Sequence, residues 1–150
     1  MKVYISGKAE NITNKEIKQA IFFYLKKLLG NSMSQKITVD VVIERDLLKT
    51  YEMYAAISPL EADTRPKHYE LEIDGKLSKK LFLVSLAHEM IHLKQFAKDQ
   101  MRDLETKRMT RWMGEYYVED NIDYWSRPWE KEAHELEISL YESYIAQKNK

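Results

Sequence analysis

The five residues His88-Glu89-Met90-Ile91-His92 restrict this chain more than any others. They lie within Leu81–Phe96, where apolar residues recur at helical spacing. On a helix, residues four apart project from one face, one above the other. His88 and His92 therefore present two imidazoles suited to two corners of a tetrahedral metal site, with Glu89 beside them to handle a proton. A catalytic zinc takes a third protein ligand and keeps one position open, so the fold must bring another donor to this helix.

The surrounding signals place the helix in an α+β chain. Lys2–Ser6 and Lys36–Glu44 read as strands, the latter dense in β-branched residues. Thr13-Asn14-Lys15-Glu16 has the form of a capping box. It opens a helix with the stripe Ile17, Ala20, Ile21, Tyr24, Leu25 and Leu28, which Gly30-Asn31 stops. Tyr51–Pro59 and Lys67–Asp74 read as two more strands. In the second, His68, Glu70 and Glu72 alternate with Tyr69, Leu71 and Ile73, as in a strand covered on one face and placed at a sheet edge. Ser78 is the expected N-cap of the histidine helix, which runs from about Lys79 to Ala97. Met101–Val118 contains Thr106, Met109, Thr110, Trp112, Tyr116 and Tyr117 around a Trp112-Met113-Gly114 turn, and reads as a small hairpin or an extended loop. Pro128 suits the first turn of a last helix reaching about Ala146, with Trp129, Ala133, Leu136, Leu140 and Tyr144 as its buried stripe. At 150 residues, with no repeat or linker, residues 1–150 are expected to form one domain.

The start of that last helix is the best source of a third ligand. It offers Glu130, Glu132, His134 and Glu135. Glu130 and His134 are i,i+4 and share a face, which suits a ligand with a polar partner behind it. Glu130 is the favoured ligand and Glu132 its main rival, with His134 a neighbour able to orient a ligand or contact substrate. A carboxylate in the first turn of a helix is also favoured simply by the macrodipole. Tyr116, Tyr117, Tyr124 and Arg127 are candidate hydrogen-bond donors to a developing oxyanion. His68 receives no role.

Composition narrows the partners. Positive and negative residues balance at 24 each, so no net field draws the chain to nucleic acid or an anionic membrane. Without cysteine there are no disulfides and no cysteine-ligated zinc, which fits a reducing, cytoplasmic setting. The N-terminus carries no extended apolar segment like a signal peptide, and no run reaches transmembrane length.

With these residues in view, the chain resembles a zincin metallopeptidase. HEMIH matches the HExxH signature, and PWEKEAH resembles the glutamate-bearing helix of gluzincins, in which an E-x-x-A-[D/N] pattern supplies the third ligand. That pattern falls on Glu130 to His134 and supports Glu130; His134 stands where Asp or Asn is usual. The arrangement, covering mainly Leu77–Tyr144, is similar to small phage and bacterial metallopeptidases of the SprT-like or ImmA/IrrE-like kind. SprT-like proteins usually use a third histidine and can carry a zinc ribbon, which a cysteine-free chain cannot. The resemblance implies a zincin-like fold: a small twisted mixed sheet on the HExxH helix, with the C-terminal helix bearing the third ligand. It also implies a Zn2+ cofactor held by His88, His92 and Glu130, and hydrolysis of a peptide or protein substrate by zinc-activated water with Glu89 as general base. By analogy with the zincin edge strand, Lys67–Asp74 is the expected substrate-binding strand. The alternative is a zinc-stabilised protein-binding or regulatory module without turnover.

Overall fold

The computed structural model describes residues 1–51, 53–104 and 107–150. Glu52, within the expected strand Tyr51–Pro59, and Thr106, within the expected hairpin, lie outside the described residues. The architecture is mixed α+β. Strands β1 (Lys2–Ser6), β2 (Thr38–Glu44), β3 (Ala55–Pro59) and β4 (His68–Asp74) form a mixed sheet in the order β1-β2-β4-β3. β1 and β4 run parallel to β2, and β3 returns antiparallel to β4. The period of two delivers Val3, Val39, Val41, Tyr69, Leu71 and Ile73 to the core. Asp40, His68, Glu70 and Glu72 alternate with them and stay half-buried; there His68 Nε2 lies 2.8 Å from Asp40 Oδ2.

Helix α1 (Asn14–Leu29) starts where Thr13 Oγ1 accepts the Glu16 backbone N–H at 3.2 Å, and stops at Gly30, whose φ of 83° only glycine adopts freely. The short helices α2 (Asn31–Ser34) and α3 (Leu47–Tyr51) follow the first helix and the second strand. Helix α4 (Lys79–Ala97) has the expected bounds, and Ser78 Oγ accepts the Leu81 N–H at 3.2 Å. From Ser85 to Ala97 every residue of α4 is buried. The helix lies against β3 and β4, and both α1 and α5 (Pro128–Lys148) pack on it. A helix buried all round that carries His88, Glu89, His92, Lys94 and Gln95 must find partners for each polar group. That requirement organises the site.

Four expectations change. Tyr51–Pro59 is not one strand: its first residue closes α3, and the strand begins at Ala55. Lys67–Asp74 contains a strand, but β4 is interior, flanked by β2 and β3. Alternation reports which face is covered and says nothing of lateral position; the edges are β1 and β3, and in β3 Pro59 has no N–H to give to a ladder. Leu136 is 39% exposed, outside the buried stripe of Trp129, Ala133, Leu140 and Tyr144.

Met101–Val118 is a three-stranded antiparallel meander, larger than the expected hairpin: β5 (Met101–Leu104), β6 (Met109–Trp112) and β7 (Glu115–Val118). Met113 and Gly114, with φ of 50° and 86°, make the two-residue β6–β7 turn. Trp112 and Tyr117 meet Trp129 with ring centroids 6.5 and 5.8 Å apart, which seats this sheet on the first turn of α5. Among the described residues, no helix is long and apolar enough to cross a membrane.

Candidate metal centre

Where α4 crosses the start of α5, three donor atoms converge. His88 Nε2, His92 Nε2 and Glu130 Oε1 form a triangle with every side 3.1 Å. The opposite nitrogen of each ring is already engaged. His88 Nδ1 lies 3.1 Å from Glu137 Oε2, and His92 Nδ1 lies 2.7 Å from Gln95 Oε1. Gln95 Nε2 donates to the Trp129 carbonyl at 3.0 Å and to Glu132 at 3.1 Å, which fixes its amide oxygen as the acceptor facing His92. With the hydrogen on Nδ1 in both rings, two imidazole lone pairs and one carboxylate lone pair point at a single space. Three converging lone pairs repel one another unless a cation sits among them, and these groups are geometrically able to hold a metal ion.

The electrostatics express the same convergence. Burial pulls the His88 imidazole down, but hydrogen bonds to Glu130 and Glu137 outweigh it and raise its pKa to about 10. His92 is likewise raised against its burial, chiefly by Glu130. Burial pushes Glu130 up, and the two imidazoles more than reverse that, holding its carboxyl well below the usual range. Glu137 is lowered by His88 and His134 despite its own burial. Protons and a metal ion would compete for the same lone pairs in this site.

Glu89 sits beside the triangle. Its burial raises the carboxyl above the ordinary range, opposed by His92 and His88 and by the Ile57 backbone N–H that faces it. That N–H belongs to the free side of β3. Tyr54 and Leu60 make the bonds to Asp74 and His68, so alternation turns Ala55, Ile57 and Pro59 outward. A cleft of about 340 Å³ lies between β3 and the β5–β7 sheet, with His88, Glu89, His92 and Glu130 in its wall. On the other side of Glu89, a second hollow of about 560 Å³ is walled by Met53, Tyr54, Leu81, Val84 and Trp125. A cavity of about 590 Å³ near α3 is bounded by Ile43, Leu47 and Met53 and holds none of these converging donors.

The structure brings together His88, Glu89, His92 and Glu130. It takes Glu132 away: that carboxylate accepts from buried Lys94 at 2.5 Å and from Gln95. Tyr124 reaches the triangle, with its hydroxyl donating to Glu130 Oε1 over 3.0 Å. Tyr116 is 61% exposed, Tyr117 Oη bonds Glu115, and Arg127 Nη2 bonds the Glu119 carbonyl. His134 is not the acceptor behind a ligand; Glu137, one turn later, takes that place for His88. Sequence reasoning missed Glu137 and Gln95. The signal for Glu137 was its spacing, since 133, 137, 140 and 144 form one helical row in which it replaces Leu136. Gln95 follows His92 by three, on the same face of α4.

The two rival glutamates are separable. Glu130→Gln is expected to weaken metal binding by about a hundredfold or more, beyond the 10–100-fold usual for residues behind the ligands. Glu132→Leu strands the Lys94 ammonium and is expected to cost about 2 kcal/mol of stability, below the full price of a buried pair because Glu132 is partly exposed. Its metal affinity should stay within a few-fold. Competition titration and thermal denaturation read the two effects; the reverse pattern would make Glu132 the ligand. Compared with known proteins, the chain matches no family profile, no curated sequence and no solved structure.

Proposed function

We propose that this chain is a zinc-dependent metallopeptidase of the HExxH type, with His88, His92 and Glu130 as ligands and Glu89 as general base. The observation that carries the reading is the equal-sided triangle of lone pairs beside a buried carboxylate in a cleft wall. A tetrahedron with bonds of 2.0 Å has edges of about 3.3 Å, so sides of 3.1 Å suit zinc. Two histidines and one carboxylate are also the ligand set of hydrolytic zinc, and the cleft gives a fourth position access to solvent. The mixed sheet with β3 beside α4 agrees with the zincin-like arrangement that HEMIH and PWEKEAH imply.

A zinc bound here supplies a Lewis acid that polarises a carbonyl and lowers the pKa of water toward about 7. The residues of the chain do the rest. Glu89, whose proton affinity is raised by burial, takes a proton from the attacking water and returns it to the leaving amine. Tyr124, kept in its neutral form first by burial and then by Glu130, offers an O–H to the oxygen on which charge develops. Glu137 and Gln95 hold the two imidazoles with their Nε2 lone pairs inward. The outward N–H and C=O of Ala55 and the outward C=O of Ile57 on β3 offer an edge to an extended peptide, the role first expected of Lys67–Asp74.

The test is metal analysis of the purified chain followed by cleavage of an unfolded protein and a peptide library. One zinc per chain, with cleavage lost to a chelator and restored by zinc, is the expected result. One zinc without any cleavage would favour a zinc-stabilised binding module. A chain that takes up no zinc would overturn the reading.

A further inference from the structure

Tyr124 stands on a short 3-10 turn (Tyr124–Ser126) between the small sheet and α5, and its side chain is not held by core packing. The residue is 39% exposed, and its ring edges onto Trp125, which is itself 65% exposed. Hydrogen bonds must therefore set where its hydroxyl points. The hydroxyl has two partners: Glu130 Oε1 at 3.0 Å and His134 Nε2 at 3.1 Å. His134 Nδ1 lies 3.0 Å from Glu137 Oε1, while the other oxygen of that same carboxylate meets His88 Nδ1 at 3.1 Å. One carboxylate thus takes an N–H from a metal-site imidazole and from His134.

The bookkeeping of hydrogens then has one consistent solution. Glu137 accepts from Nδ1 of His134, so His134 Nε2 carries a lone pair that competes with Glu130 Oε1 for the one Tyr124 O–H. When the lone pair of Glu130 Oε1 is given to a cation, that oxygen becomes the poorer of the two acceptors, and the single hydroxyl hydrogen turns to His134. A substrate oxyanion is a stronger acceptor than neutral imidazole, so the hydrogen is free to move to it. We propose that His134, oriented by Glu137, is a positioning residue that holds the Tyr124 hydroxyl at the metal centre. This role rests on the metal-centre reading above. It also explains why a histidine is useful at 134: Glu137 has taken over the support of His88, leaving 134 to reach the tyrosine.

The test uses the cobalt(II)-loaded full chain and acetohydroxamate, a metal-binding anion whose second oxygen stands in for the developing oxyanion. Tyr124→Phe and His134→Phe are each expected to weaken hydroxamate binding about tenfold, measured at saturating cobalt so that any change in metal affinity drops out. The phenyl ring keeps the contacts of the imidazole with His88 and Trp125, 4.6 and 4.8 Å between centroids, so the fold survives. The double variant should lose no more than either single one, because both remove one hydrogen-bond chain. His134→Gln, which keeps a polar group toward Tyr124, should recover most of the loss. Wild-type hydroxamate binding in His134→Phe, or losses that multiply in the double variant, would overturn the positioning role. A second readout needs no metal: the His134 Nε2 signal in imidazole nitrogen NMR should shift in Tyr124→Phe, because the hydroxyl meets that nitrogen whichever way its hydrogen points. An unmoved signal overturns the contact itself. A shifted signal in a chain that takes up no cobalt overturns instead the metal centre, and with it the function of the contact.

Discussion

Glu89→Gln is expected to bind zinc as tightly as the parent chain and to lose peptide hydrolysis by about a thousandfold, within the range for removing a general base. The amide has the shape of the carboxylate and still meets the Ile57 N–H, but it cannot take a proton. Burial makes the effect large. A surface glutamate could be replaced in part by solvent, whereas Glu89 is 8% exposed and stands between the imidazoles and β3. Zinc titration and single-turnover cleavage on the same preparation separate the two properties. A fully active Glu89→Gln chain would remove Glu89 from the mechanism.

Metal removal should change both the size and the pH dependence of stability. In the metal-free chain the His88 pKa rises from 6.5 to about 10, and that of His92 also rises. Raised groups stabilise the fold fully below their unfolded pKa and lose that contribution as pH climbs through the folded value. Metal-free stability should therefore fall by several kcal/mol between about pH 6.5 and 10. Glu89, also raised, acts in the same direction. Glu130, depressed, contributes stability that is lost as pH falls through the acid range, so the metal-free optimum lies at mildly acidic pH. Metal ligation needs unprotonated imidazoles, and its affinity should rise over the window in which the metal-free fold weakens. Free metal at a thousand times Kd adds about 4 kcal/mol, roughly 10 °C in Tm for a domain of this size. Thermal melts from pH 5 to 10, with and without zinc, should diverge as pH rises. In His88→Ala the two curves should coincide. Parallel curves for the parent chain would show that metal and protons do not compete for the triangle.

The grouping of donors that could hold a metal was partly legible before the fold was known. HEMIH needs only helical geometry to stack its imidazoles, and the bounds of α4 follow from Ser78 and a continuous apolar run, all local. Glu130 was legible through PWEKEAH. Glu132 looked like a rival because nothing local couples it to Lys94 and Gln95, residues 38 and 37 positions earlier in the chain. Glu137 was hidden by an ambiguity of about 100° around one helix: Leu136 satisfies the apolar pattern, and Glu137 satisfies the geometry. The edge strand was misplaced for a similar reason, since lateral order in a sheet depends on partners from distant segments.

By itself, then, the sequence determined what repeats along the chain: the helical and extended segments, their caps, and which side chains share a face. These depend on interactions a few residues long. Tertiary structure alone decided which faces meet. Crossing α4 over the start of α5 brings the Glu130 carboxylate within 3.1 Å of both imidazoles, and the same crossing forces Glu137, Gln95 and Glu132 to satisfy the buried polar groups around them. Burial is the physical reason: a polar group sealed inside a protein must be matched, and its match is chosen by position in space rather than in sequence.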